Sequence, residues 1–418
     1  MAKYKKSMQR RRIITVVVSL LVIFALLFAI ISGIVKGVRT VKNKVHARQQ
    51  YAVTMEAKLD KMSLEQKVGQ MILAYHPAKD DVAAQKKYQF GGYIFFAKYF
   101  QDNTPEGVVA DMASFQEVSK IGMLLAVDEE GGTVNRISRF PMYRDEKFAS
   151  PQEIFHGGGW DGIVADAKEK AAFLKILGLN TNLAPVVDVP YDEKNYIYNR
   201  SFGTNPEEVA DFAEYVTTEF KNAKVISCLK HYPGYGNAGD THRTVIEDTR
   251  EQQILDTRDS MPFQAGIAAG TPMIMVSHTI VDAYDAKNPA SLSKAVHNVL
   301  RNNLGFDGVI LTDDLQMSGV TKFVADPGKV AVQAVQAGND MLCTGSPVAM
   351  YDAILQAVKS GTISEERIDE SVLRILEMKK AYGLIEQKNK SPQKKSRRPD
   401  WDDGFTHGSG IGIRTPNN

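Results

Sequence analysis

LGFDGVILTDDLQM, residues 304–317, carries the pattern on which the fold turns. Its centre, GVILT at 308–312, is an unbroken apolar run, and two carboxylates, Asp313 and Asp314, follow at once. A strand with one wet face alternates apolar and polar residues, whereas a strand covered on both faces of a parallel sheet does not. The same form recurs at 68–73 (VGQMIL), 91–96 (GGYIFF), 122–127 (GMLLAV), 181–187 (TNLAPVV), 225–229 (VISCL), 272–277 (PMIMVS) and 339–343 (NDMLC). Helix-like segments such as 205–222 and 293–303 lie between these runs. Strands of this kind, each followed by a crossover, predict an α/β fold, a single (β/α)8 barrel of the TIM type. No Gly-x-Gly-x-x-Gly follows the first run, so a dinucleotide-binding sheet lacks its fingerprint.

The ends of the barrel are marked by helix signals. Ser63-x-x-Gln66 has the form of a capping box. At the far end, 364–382 reads as a helix with Ile368, Val372, Ile375 and Leu376 on one stripe, stopped by Gly383. The barrel is therefore expected over 55–386. The remainder, 387–418, is rich in Lys, Arg, Pro, Gly and Asn and is expected to be disordered.

Upstream, a basic tail (1–12) with Lys3, Lys5, Lys6 and Arg10 to Arg12 precedes an uncharged run from Ile13 to Val35. At about 1.5 Å per residue that run spans a bilayer core of about 30 Å. It is too long for a signal-peptide core, and no Ala-x-Ala follows it. A transmembrane anchor at 13–35 and a juxtamembrane spacer at 36–54 are expected. Basic residues lie on both sides of the run. The larger cluster before it favours a single-pass chain with a cytoplasmic N-terminus and an extracellular catalytic domain at the cell membrane.

The 418 residues are 44% hydrophobic and 24% charged, ordinary for a globular chain. A net charge of +2 gives no basic excess of the kind a nucleic-acid surface needs. The two cysteines, Cys228 and Cys343, sit in strand-like runs and read as buried thiols rather than a disulfide.

Reactive side chains in such a barrel project from the carboxyl ends of the strands. By that rule Asp128, Asp188, Lys230, His231, His278 and Asp313 gather on one rim, and loops add Arg136, Arg200, Asp240 and His242. Any one of them could instead cap the next helix. The most informative loop is KHYPGYGNAGDTH, 230–242. An Asp two residues before a His can lay its carboxylate on the imidazole, fix the tautomer and make a proton shuttle near neutral pH.

These segments resemble glycoside hydrolase family 3, in its β-N-acetylhexosaminidase (NagZ-like) branch. The matching stretches are MSLEQKVGQM (62–71), AVDEEGG (126–132), NLAPVVDV (182–189), NRSFG (199–203), KHYPGYG (230–236), DTH (240–242), LGFDGVILTDDLQM (304–317) and ERIDESVLRIL (366–376). Carried over residue by residue, the resemblance implies Asp313 as nucleophile, with Asp314 as second choice, and His242 polarised by Asp240 as general acid/base. It implies that Asp128, Arg136, Arg200, Lys230 and His231 hold the sugar. The loop departs from the common pattern in three ways. Tyr235 stands where many relatives have His, Thr241 replaces a serine, and the spacer between Gly236 and Asp240 is one residue shorter.

The expected function is removal of terminal β-linked N-acetylglucosamine from cell-wall (peptidoglycan) fragments through a covalent glycosyl-Asp intermediate. No metal or organic cofactor is implied. The partners expected are a carbohydrate substrate and, through the N-terminal helix, a membrane, with no nucleic acid; the oligomeric state stays open. The alternatives are a β-glucosidase or glycoside phosphorylase of the same fold, a metal-dependent barrel hydrolase, and a non-catalytic membrane-tethered sugar-binding protein.

Overall fold

The computed structural model describes residues 55–77, 79–236, 239–241 and 243–385. The expected anchor at 13–35, the spacer, the tail at 387–418 and His242 lie outside the described residues. Among the described residues no helix is long and apolar enough to cross a membrane. Residues 55–59 are helical and belong to a separate N-terminal unit; the body described below begins at Lys61.

Ser63 caps the helix Leu64–Gln70 with both halves of the capping box in place. That helix takes up the first part of the apolar run expected as a strand at 68–73, and the first barrel strand, β1, is Ile72–Tyr75. The apolar stretch reads as one element because a buried helix end and a buried strand start are equally hydrophobic. The other barrel strands are β2 (Gly92–Phe95), β3 (Leu124–Val127), β4 (Thr181–Asn182), β5 (Ile226–Tyr232), β6 (Met273–Val276), β7 (Val309–Thr312) and β8 (Leu342–Thr344).

Neighbours in sequence are neighbours in the sheet, all parallel, from β8 through β1 to β7. The two ends meet at a parallel bridge between Leu311 and Met341, and the Thr312 hydroxyl accepts from the Cys343 amide at 3.0 Å. The result is a nearly closed eight-stranded parallel barrel. Its strands are buried along nearly their whole length, as their unbroken apolar runs require. Both cysteines are buried and free.

Two differences from the expected strands shape the site. β4 makes ladder pairs only at Thr181 and Asn182, because Pro185 has no amide hydrogen to donate. The chain nevertheless stays beside β5, with Val187 donating to the Lys230 carbonyl at 2.8 Å. β5 runs to Tyr232 rather than stopping at 229, so Lys230 and His231 are strand residues themselves.

The crossover helices begin as their sequences dictate. Pro206–Asn222 is capped by Asn205, and Glu365–Ala381 by Ser364. Gly383, at φ +82°, stops the second where a side chain would be strained. The segment expected as one helix at 293–303 is α-helical over Lys294–Asn298 and widens into a π-turn over Val299–Asn303. Pro151–Ile176 has a full capping box from Ser150 and Glu153 and bends at Gly159. The Gln152 amide near its start donates to the carbonyls of Tyr198 and Ser201, which buttresses the turn carrying Arg200.

Candidate active site

Beyond β3 the chain runs through Asp128, Glu129 and Glu130, and the two glutamates do different work. Glu129 is fully buried and accepts the amides of Arg136 and Ile137 at 2.9 Å, the amide of Ser138 at 3.1 Å and the Ser138 hydroxyl. Burial pushes its carboxyl pKa up against those hydrogen bonds. Its role is to fold the loop that presents Arg136.

Glu130 faces the other way, into a cluster of charges. Its carboxylate takes a bidentate pair from Arg200, at 2.9 Å from Nε and 2.8 Å from Nη2, and lies 2.6 Å from Lys230 Nζ. Lys230 also donates to Asp128 Oδ1 at 2.7 Å, and Arg136 Nε stands 4.0 Å from Asp128 Oδ2. Burial alone would raise the Glu130 pKa, but Arg200 and Lys230 override it and hold the carboxyl far below the usual range. Burial likewise works against the Lys230 charge, and Asp128 with Glu130 outweighs it, so the ammonium titrates above its usual value. Buried charges of this kind persist only when paired. Paired as they are, they offer fixed donors and acceptors to a polyhydroxylated ligand.

His231 completes this side. Its Nδ1 lies 2.7 Å from Asp188 Oδ2, its amide donates to the same oxygen at 3.2 Å, and Arg200 Nη2 is 3.4 Å from Nε2. Asp188 is fully buried and so fixes the ring's orientation and tautomer.

Across the barrel, Asp313 follows β7 with its amide donating to the Val276 carbonyl at 2.9 Å. The Asp314 amide donates to Asp313 Oδ1 at 2.8 Å, which orients that carboxylate. Asp314 is tied in turn. Its carboxylate accepts the Tyr75 hydroxyl and the Gln316 amide, and its carbonyl meets His278 Nε2 at 2.9 Å. The other ring nitrogen of His278 lies 2.8 Å from the Ser291 hydroxyl. His278, a rim candidate by its place after β6, is a buried brace for the Asp313–Asp314 turn.

One cavity of about 380 Å³ gathers these groups. Asp128, Arg136, Arg200, Lys230, His231 and Asp313, all expected from the sequence, line it together. Asp240 does not line it; it sits on the loop above β5, with Arg243 Nε 3.4 Å from its carboxylate. Asp314, the second choice for nucleophile, lines it too; the structure adds Glu130 and Tyr75, with Ile94, Phe96, Leu183, Met275 and Cys343 on the apolar wall. Tyr75 stands at the end of β1. Starting that strand four residues too early hides it from the rule that strand ends carry function.

Residues 63–378 match the model of the glycosyl hydrolase family 3 N-terminal domain. A β-hexosaminidase of Methylococcus capsulatus is 32% identical over 275 residues, 66% of this chain and 81% of that protein. An uncharacterised secreted glycosyl hydrolase of Arthroderma benhamiae is 32% identical over 303 residues, 68% of this chain and 83% of its own length. Among solved structures, a family 3 β-N-acetylglucosaminidase from Paenibacillus sp. superposes with a TM-score of 0.72 at 32% identity, over 80% of this chain and 65% of that one.

Proposed function

The chain belongs to glycoside hydrolase family 3 and is a glycoside hydrolase, and we propose that it is a retaining β-N-acetylhexosaminidase acting on terminal β-linked N-acetylglucosamine. The observation that carries this reading is the convergence of Asp313 with the Asp128–Lys230–Glu130–Arg200 cluster and His231 in one cavity. A sugar held by that cluster through its hydroxyls presents its anomeric carbon to the carboxylate opposite.

In the first step an Asp313 oxygen attacks the anomeric carbon while the glycosidic bond breaks, and His242, supported by Asp240, gives its proton to the leaving oxygen. In the second, the same imidazole takes a proton from water as it attacks the glycosyl ester, releasing the sugar with its configuration retained. A histidine suits this place because it titrates near neutrality without a strongly raised carboxyl pKa. The run at 13–35 anchors the chain with its N-terminus in the cytoplasm, and the outward-facing barrel trims peptidoglycan-derived fragments at that surface.

The test compares an aryl β-N-acetylglucosaminide with the matching β-glucoside, each with the unaltered chain and with Asp313→Ala. Preference for the acetamido sugar, lost in the variant together with the trapped glycosyl-enzyme, supports the reading. A folded chain that cleaves neither sugar, or a variant that keeps its rate, overturns it.

A further inference from the structure

The ion pair between Glu130 and Arg200 joins two separate loops, and one short stretch of chain, 147–152, touches both of them. On the Glu130 side the stretch packs directly on the loop backbone. The Gly132 amide donates to the Phe148 carbonyl at 2.9 Å, the Phe148 amide donates to the Ser138 hydroxyl at 3.2 Å, and Lys147 Nζ donates to the Gly132 carbonyl at 2.9 Å. A Cβ on Gly131 would lie 2.3 Å from the Ala149 carbonyl oxygen, and one on Gly132 would lie 2.8 Å from Ser150 Cβ. Both glycines sit at positive φ, +101° and +63°, so the residues after Glu130 can meet the stretch this closely only as glycine.

On the Arg200 side a single side chain makes the contact. The capping box of Ser150 and Glu153 starts the helix Pro151–Ile176 and places Gln152 in its first turn. Gln152 Nε2 donates to the Tyr198 carbonyl at 2.8 Å and to the Ser201 carbonyl at 3.0 Å. These two carbonyls stand on either side of Arg200 in the chain. The turn between them is closed from within, as the Arg200 and Ser201 amides donate to the Ile197 carbonyl at 2.9 and 3.0 Å. Phe155, three residues on from Gln152 and so on the same helix face, meets Phe202 at 5.1 Å between ring centres.

We propose that Gln152 is a positioning residue for sugar binding, holding the Arg200 turn in register with the Glu130 loop that the same stretch grips. Gln152 is not among the residues that line the cavity, so it acts through Arg200 and not on the ligand. Arg200 meets Glu130 through both Nε and Nη2, and a two-bond geometry of this kind is lost when the turn shifts. The proposal rests on the reading of the cavity as the sugar site.

The test uses the full-length chain with Gln152→Met and Gln152→Glu, and reads kcat and KM on an aryl β-N-acetylglucosaminide. Methionine keeps the length of the side chain and loses both donors. Its KM should rise about tenfold at pH 7, with less than about a twofold change in kcat. The ionised glutamate has no proton to give the two carbonyls, so its KM at pH 7 should rise at least as far. Protonation restores one donor. The KM of Gln152→Glu relative to the unaltered chain should therefore fall as pH is lowered from 7 to about 4.5, while the ratio for Gln152→Met stays flat. A fall in kcat as large as the rise in KM, an unchanged KM, or a Gln152→Glu ratio that is flat with pH overturns the proposal.

Hydrogen exchange gives a second readout that needs no activity. Gln152→Met should speed exchange in peptides spanning 195–203 and leave Ile226–Tyr232 unchanged. If the unaltered chain cleaves no β-N-acetylglucosaminide, the functional reading falls and exchange alone decides the positioning role, with unchanged exchange at 195–203 overturning it.

Discussion

Replacing Glu130 by glutamine keeps the volume of the side chain and removes the one carboxylate that Arg200 and Lys230 share. The variant loses the bidentate Arg200 pair and the 2.6 Å contact to Lys230, and leaves the buried Lys230 ammonium with Asp128 as its remaining carboxylate and the part-buried Arg200 without its ion pair to Glu130. Removing one member of a buried ion pair costs about 3–5 kcal/mol, because the remaining charge keeps its desolvation penalty. With an unfolding entropy of about 2.1 cal/mol/K per residue over a body of roughly 325 residues, the melting temperature should fall by about 4–7 °C. The pH dependence follows from the direction of the shift. Arg200 and Lys230 hold the Glu130 pKa far below its ordinary value of 4.5 against the opposing effect of burial. Its stabilisation is therefore complete above that value and declines as pH falls, since the unfolded chain takes up the proton first. Between pH 7 and pH 4 the difference in stability between wild type and Glu130→Gln should narrow by roughly 1 kcal/mol. Thermal and urea unfolding at the two pH values provide the assay. A melting temperature within about 1 °C of wild type at pH 7, or a difference that does not narrow, would refute the account of the cluster.

Tyr75→Phe removes the hydroxyl that ties Asp314 to β1. It should slow glycosyl-enzyme formation about tenfold, the effect of losing about one hydrogen bond, as read from the inactivation rate with a fluorinated glycosyl donor. Asp188→Asn keeps the shape beside His231 and removes the charge that fixes its tautomer. It should raise KM more than it lowers kcat, and an unchanged KM would sink the sugar-holding role of His231. Lys379 is fully buried, with Nζ 2.6 Å from Gln70 Oε1 and 2.8 Å from the Gly91 carbonyl, and burial pushes its pKa down from 10.5 to about 7. The unfolded chain therefore binds this proton more tightly, and wild-type stability should gain roughly 2 kcal/mol relative to Lys379→Met between pH 7 and pH 9. Parallel curves for the two proteins across that range would contradict the shift.

Much of the barrel was legible because its strands advertise themselves. GVILT, PMIMVS and GGYIFF are apolar on both faces, and burial on both faces is what a parallel barrel imposes. Boundaries were legible only where a local signal marked them, as at Ser63 and Gly383. Where two buried elements abut, as in VGQMIL, the hydrophobic signal runs straight through the junction, and β1 had to be placed by the helix in front of it.

The site divides along the same line. Sequence alone determined which side chains arrive at the rim, because strand ends and the quoted motifs are local. Asp128 and Asp313 stand directly after their strands, Lys230 and His231 lie in the last residues of β5 rather than beyond it, and the four share one cavity. Tertiary structure decided which of them touch. Lys230 and Asp128 are 102 residues apart, Arg200 and Glu130 are 70 apart, and Tyr75 and Asp314 are 239 apart. No periodicity or propensity acts over such separations. It is the closing of the sheet that turns His278 into a brace, makes Glu130 the hub of the charged cluster and brings Tyr75 to the nucleophile turn. Which polar group a buried charge pairs with is set by proximity in the fold, and proximity exists only once the barrel has formed.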